Sequence, residues 1–286
     1  MSKRARIQRH LAMLEDISDI MGAMRNLSLM ETHKLARFLA HQHRVLAGIE
    51  TAAADFLSHY ARTGYRPAPG SAGLLVAIGS QRGFCGDFNK QVADAVHRHW
   101  QQTDGSPAGV VVVGRRLAAK LGADPRIRAS LDAPSVAEEV QPMLQRLTTT
   151  LGELQAQADR ALPLAAMVCA HREAEREPGV RTILPAPGPL RASPRHSFPP
   201  LLNVAPPQFF AGLAHHYLWA RMHDVFYGSL MAENRRRLQH MEGAMRRIEE
   251  KSGALRRRYN LLRQEEITEE IEVIMLSNDA LATRSQ

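Results

Sequence analysis

Residues Tyr227 to Leu262 read YGSLMAENRRRLQHMEGAMRRIEEKSGALRRRYNLL, and their spacing decides the fold. Tyr227, Met231, Asn234, Leu238, Met241, Met245, Ile248, Ser252, Leu255, Tyr259 and Leu262 recur at alternating steps of four and three. A 3.5-residue repeat kept over several heptads predicts a long helix that packs along one seam, as in a left-handed coiled coil. Beyond Leu262 the next apolar positions, Ile267, Ile271 and Ile274, slip by one residue, so the helix is expected to continue with its seam rotated.

The proline distribution carries this outward. All 16 prolines lie between Pro67 and Pro207. Proline costs about 3 kcal/mol inside a helix, so proline-free ends around a proline-bearing middle predict long terminal helices flanking an insert. The N-terminal stretch carries a looser stripe of Ile7, Leu11, Leu14, Ile17, Ile20 or Met21, Met24, Leu27, Leu35, Phe38, Leu39, Val45, Ile49 and Phe56. At about 1.5 Å per residue each end would be on the order of 80 to 110 Å long, and neither could bury its stripe alone. Antiparallel pairing of the two ends is the economical solution. The expected segments are an N-terminal coiled-coil helix over 1–66, an α/β domain over 67–207 and a C-terminal coiled-coil helix over 208–286.

Within the middle segment, Leu74 to Ile78 and Val110 to Val113 are apolar runs bounded by glycine, with Leu164 to Cys169 and Arg181 to Leu184 as weaker candidates. Helical patterns over Phe88 to Gln102, over Arg115 to Leu121 and after Ser135 as N-cap alternate with them. This is the grammar of a Rossmann-like parallel α/β domain. The proline-dense stretch from Pro185 to Pro207 is expected to be an extended strap rather than helix.

Composition narrows function. With 37 Lys plus Arg against 29 Asp plus Glu, the net charge is +8; 44% hydrophobic and 23% charged residues describe an ordinary globular protein. No run approaches the roughly 20 apolar residues of a membrane span, and no signal-type apolar run follows the N-terminus. Two cysteines, Cys85 and Cys169, provide neither a disulfide framework nor a multi-cysteine metal site, which fits a reducing cytoplasm. His41 with His43 and His215 with His216 lack ligand spacing for a helix-face metal site, so no metal is expected.

The loop Gly79-Ser80-Gln81-Arg82-Gly83-Phe84-Cys85-Gly86-Asp87 follows a strand and enters a helix, where nucleotide-binding folds hold phosphate. Its glycines do not make Gly-x-Gly-x-x-Gly and no Walker lysine is present, so a structural turn is the better reading, with no cofactor and no direct nucleotide binding expected. Cys85 as a nucleophile requires a base that the neighbourhood does not offer, and an inert thiol is the simpler account. Charge along the C-terminal helix is split. Residues 235–263 include Arg235 to Arg237 and Arg256 to Arg258, whereas residues 264–286 are dominated by glutamate. The basic stretch predicts an acidic partner surface. A nucleic-acid-binding basic arm is the alternative, weakened because no aromatics alternate with the arginines. Ten of the twelve methionines lie in the two end segments, consistent with an ordinary helical seam.

Three motifs in order resemble the gamma subunit of F-type ATP synthases. They are Ile20-Met21-Gly22-Ala23-Met24, then Arg82-Gly83-Phe84-Cys85-Gly86-Asp87-Phe88-Asn89, then Tyr259-Asn260 followed by Arg263-Gln264-Glu265-Glu266-Ile267-Thr268-Glu269-Glu270; Ala232-Glu233-Asn234 adds a weaker echo. The resemblance spans nearly the whole chain. It implies a non-catalytic rotor subunit turning in a hexamer of three alpha and three beta subunits, with catalysis on beta. An epsilon subunit and a c-ring would sit at the foot, on the cytoplasmic face of a bacterial plasma membrane. It implies partner contacts at Met24, Arg25, Arg263, Gln264, Thr268 and Glu270, and a structural motif at Arg82, Gly83, Cys85, Gly86 and Asn89. The chain departs from the family at Gly22, where Lys is usual, at Asp87, where Gly is usual, and at Asn203-Val204-Ala205, which stands in place of a Tyr-Glu-Pro. These departures point to a divergent branch of the family, and leave open whether it belongs to an alternative ion-translocating ATPase.

Overall fold

The structure is a computed structural model describing residues 3–60, 74–102, 109–157, 167–171, 178–184 and 198–282. Two helices dominate it, α1 over Lys3–Tyr60 and, at the other end of the chain, α5 over Pro206–Ala282. Between them run β1 (Leu74–Ile78), α2 (Phe88–Gln102), β2 (Gly109–Val113), α3 (Arg115–Leu121), β3 (Ile127–Leu131), α4 (Val140–Gln157), β4 (Met167–His171) and β5 (Gly179–Leu184). The chain forms two compact units, one of residues 1–27 with 239–286 and one of residues 28–238.

The larger unit is built on a five-stranded sheet in the order β3-β2-β1-β4-β5. β1 pairs in parallel with β2 and β4, and β2 in parallel with β3. The expected parallel sheet is corrected at one edge, where β5 runs antiparallel to β4. Only a short segment separates His171 from Gly179, and a parallel return needs a crossover of about a dozen residues or more.

Side chains of successive strand residues go to opposite faces, and here both faces are covered, which is why the strands read as unbroken apolar runs. Leu74, Val76, Ile78, Val111 and Val113 join one core with Leu35 of α1, Val140, Met143, Leu144 and Leu147 of α4, and Met222, Val225, Phe226 and Leu230 of α5. Leu75, Ala77, Val110 and Val112 face the other way, onto Phe88, Val92, Val96 and Trp100 of α2 and Leu117 and Leu121 of α3. The long helices are therefore part of this unit's core. Aromatic contacts tie them further: Phe38 stacks on Tyr227 at 5.5 Å, and Phe56 lies 5.0 Å from Phe209. Lys34 bridges Glu31, at 3.1 Å, and Glu138, and the backbone N–H of Ala137 donates to Glu31, fastening α1 to the turn before α4.

Three local expectations change. Ser135 does not cap α4 directly. A short 3-10 turn, Ala137–Glu139, comes first, and Glu139 reaches back to accept the Ser135 N–H at 2.6 Å. β3 has no counterpart in the expected strands, because an edge strand with Arg128 among its exposed residues lacks the apolar run of a central one. Pro206 and Pro207, assigned to the strap, open α5 instead. In a first turn the missing N–H has no intrahelical partner to lose, and proline's fixed φ is already helical. Residues 185–197 of that strap, and residues 164–166 of the third expected strand, lie outside the described residues.

Candidate functional site

The smaller unit is two antiparallel helical segments. Arg4 pairs with Glu266 at 2.6 Å, Glu15 with Arg256 at 2.7 Å and Arg25 with Glu242 at 3.6 Å, which fixes the register. These pairs are largely exposed and contribute at most about 1 kcal/mol each. On α5 the sheltered positions include Met241, Met245, Ile248, Ser252, Leu255, Tyr259 and Leu262, the positions expected from the heptads. On α1 they include Ile7, Leu11, Leu14, Ser18, Met21, Met24 and Arg25. The expected N-terminal stripe holds at Ile7, Leu11, Leu14, Met21 (the alternative to Ile20) and Met24, and is corrected at Ile17 and Leu27, which face outward, as do Ile20 and Met13. Polar Ser18 and Arg25 are sheltered there instead, and a pattern that counts only apolar residues mixes the seam with the outward row.

The unit therefore presents unburied apolar residues on both helices. Ile20 is 61% exposed and Leu27 60%; on α5, Leu261, Ile267, Ile271, Val273, Ile274 and Met275 are all exposed, Ile274 at 65%. The helix does continue past Leu262, and the rotated apolar row it carries is exposed. Charge changes along the same surface, from exposed Arg256, Arg257, Arg258 and Arg263 to exposed Glu265, Glu269, Glu270 and Glu272.

The expected contact residues fall into two groups. Met24 and Arg25 are neighbours on α1, both half-buried, and Arg25 lines a groove of ≈ 810 Å³ with Leu14, Ser18, Met245 and Ile248. Arg263, Gln264, Thr268 and Glu270 are all exposed on α5, and the Thr268 hydroxyl donates to the Gln264 carbonyl at 2.9 Å. Arg25 is level with Glu242 and Arg4 with Glu266, so the two groups sit at different heights along the pair.

In the larger unit, the motif residues Arg82, Gly83, Cys85, Gly86 and Asn89 come together in one loop. Asn89 Oδ1 accepts the Ser80 N–H at 2.9 Å, and its amide donates to Ser80 Oγ at 2.8 Å and to Cys85 Sγ at 3.3 Å. Phe84 holds φ 61 and Gly86 φ 58, so Phe84 carries left-handed backbone strain and is turned outward, 55% exposed. Burial pushes the Cys85 thiol above its ordinary value, the Ser80 hydrogen bond opposing and the Glu233 charge adding to the rise. This is an inert thiol rather than an activated one. Gln81 Oε1 accepts the N–H groups of Arg115 at 3.3 Å and Ala133 at 3.1 Å, which ties the loop to the chain just past β2 and β3.

The loop rests on α5 through Glu233, Asn234 and Arg237. Arg237, read as part of an exposed basic triplet, is 6% exposed. It donates from Nε to the Gly83 carbonyl at 3.3 Å, from Nη1 to Asn234 Oδ1 at 2.9 Å, and from Nη2 to Glu233. The i, i+4 spacing of Glu233 and Arg237 was the available signal. Arg236 and Asp87, the residue that replaces a usual glycine, approach to 3.8 Å. Among the described residues no cluster of three potential metal ligands occurs, and no helix is long and apolar enough to cross a membrane. His43 lies 3.0 Å from Asp224.

A doubly covered α/β sheet inserted between two very long helices, with apolar rows left open on both, defines a stalk-type subunit of a larger assembly. The family model described as ATP synthase matches residues 3–281, and the chain belongs to that family, as a gamma subunit. Gamma subunits are the non-catalytic central stalk, catalysis occurring on the beta subunits. Among solved structures, a chain of the Euglena gracilis mitochondrial ATP synthase, OSCP/F1/c-ring in rotational state 3, superposes with TM-score 0.61 at 14% identity, covering 99% of this chain and 96% of that one. A chain of the Tetrahymena thermophila mitochondrial ATP synthase central stalk and c-ring gives 0.54 at 15% identity, over 79% and 99%. A chain of the Euglena gracilis rotor in rotational state 1 gives 0.53 at 13%, over 92% and 98%. At these identities the likeness is one of fold. A search of the curated proteins finds no match.

Proposed function

We propose that this central-stalk subunit turns within a hexamer of three alpha and three beta subunits and couples ion translocation to ATP synthesis or hydrolysis. The observation that carries the reading is the pair of exposed apolar rows, Ile17, Ile20 and Leu27 on α1 and Ile267 and Ile271 on α5, which lie outside the seam. Fully burying one such side chain is worth about 1.5–3 kcal/mol, so a partner collar closing around these rows gains far more than the exposed ion pairs contribute. In this reading the helical pair is an antiparallel coiled coil. Met24 and Arg25 meet the beta subunits at one height, and Arg263, Gln264, Thr268 and Glu270 at another.

Because the two helices present different side chains, each beta subunit faces a different surface and is held at a different point of its cycle. The larger unit would stand at the foot with the epsilon subunit and the c-ring, on the cytoplasmic face of a bacterial plasma membrane. The test is reconstitution with the alpha and beta subunits encoded beside this gene. One copy entering each hexamer with raised ATPase turnover supports the reading; a chain that remains free while turnover stays unchanged refutes it.

A further inference from the structure

We propose that Glu233 and Arg237 form a proton-sensitive clasp on α5 that holds the Gly83 turn when Glu233 is ionised and releases it when Glu233 takes up a proton. Both side chains are nearly closed off from water, at 4% and 7% exposure, in a place the coupling surface does not use. Arg237 alone joins three things, the Glu233 carboxylate, the Asn234 side chain and the Gly83 carbonyl, so the loop is tied to the helix through a guanidinium whose counter-charge is Glu233.

Consider the two positions open to Arg237. With it inside, burial pushes the Glu233 carboxyl up to about 7, while Arg237, and to a smaller extent Arg82, pull the other way. With Arg237 swung out, burial acts with that main opposition removed and Glu233 holds its proton more tightly. The released state therefore binds the proton better than the clasped state, and linkage requires acidification to favour release. The charge balance points the same way, because protonating Glu233 leaves a buried guanidinium with neutral acceptors only. The other groups facing the pair do not compensate. From the loop, Arg82 adds positive charge and the Cys85 thiol, raised by its burial, stays neutral, while Asp87 is engaged by Arg236 on the surface side. Release would free a loop that already carries strain at Phe84 and would change how Arg82 and Phe84 are presented.

The test is amide hydrogen exchange on the full chain between pH 6 and 8.5, with rates corrected for their intrinsic pH dependence. Protection at the Ser80 and Phe88 amides, which bond to Asn89 Oδ1 and to the Cys85 carbonyl, is expected to fall as pH drops through about 7, by up to about tenfold per pH unit for a one-proton linkage, while Val110 to Val113 in the sheet stay protected. Glu233→Gln keeps an acceptor for Arg237 but not the charge, and should give low protection at all pH values with no slope. A flat profile in the wild-type chain overturns the proposal whatever the variant does, and so does an unchanged slope in Glu233→Gln.

Discussion

One substitution made at two glycines should have opposite signs. Gly22 lies inside α1, and a methyl group built there first meets Met245 Cε at 4.0 Å, an ordinary van der Waals distance. Nothing within the described residues requires glycine, so Gly22→Ala recovers its helix-propensity cost, about 1 kcal/mol, and adds a contact across the seam. Gly79 follows β1, and its added Cβ falls 2.2 Å from Leu117 Cβ and 2.8 Å from Asn89 Oδ1. Leu117 is fully buried, and Asn89 is held by bonds to Ser80 and Cys85, so neither can yield without loss. Overpacking of this kind costs roughly 1–3 kcal/mol, and disturbing the Asn89 bonds adds about 1–3 kcal/mol more. Thermal and urea unfolding followed at 222 nm measure both. Gly22→Ala should melt higher by roughly 2–4 °C, and Gly79→Ala should lose about 2–6 kcal/mol. A less stable Gly22→Ala, or a neutral Gly79→Ala, refutes the reasoning.

Other outcomes are expected. Leu35→Ala removes a fully buried side chain from the core shared by α1, the sheet and α5, and should cost about 2–5 kcal/mol in urea unfolding. Arg263→Ala with Gln264→Ala, both exposed, should weaken hexamer-coupled ATPase activity while leaving the melting curve in place; unchanged turnover and ion pumping would refute that contact. Asp124 is held down to about 2, chiefly by its hydrogen bonds from the Arg126 side chain, which also stacks over Trp100 at 3.7 Å. Because that value lies below its unfolded one, its stabilisation is complete above about pH 4 and disappears as pH falls through 2. Asp124→Asn should flatten this part of the acid limb in pH-dependent unfolding.

The sequence disclosed much of this where one physical cause set the pattern. The α5 seam was legible because every apolar heptad position from Met241 to Leu262 is a sheltered one. β1 and β2 were legible because burial on both faces leaves no alternation to blur the run. Where two causes overlap, the pattern misleads. Along α1 the seam includes Ser18 and Arg25 while isoleucines and a leucine face outward, since one row meets the partner helix and the other is left for another surface. Pro206 and Pro207 misled because proline opposes a helix interior but suits its first turn. The Glu233–Arg237 clasp was hidden inside an arginine triplet, as sequence does not say which of three consecutive arginines turns inward. The register between Met24 and the Arg263 to Glu270 stretch depended on pairing distances that no single helix contains.

The central claim is that this chain rotates. With alpha and beta subunits fixed to a surface, this chain at the hexamer axis and a bead attached to its sheet-bearing unit, added ATP should drive stepwise turning in one direction, absent without nucleotide. A chain that enters the hexamer and raises ATPase activity but leaves the bead only jittering about a fixed angle would contradict the account.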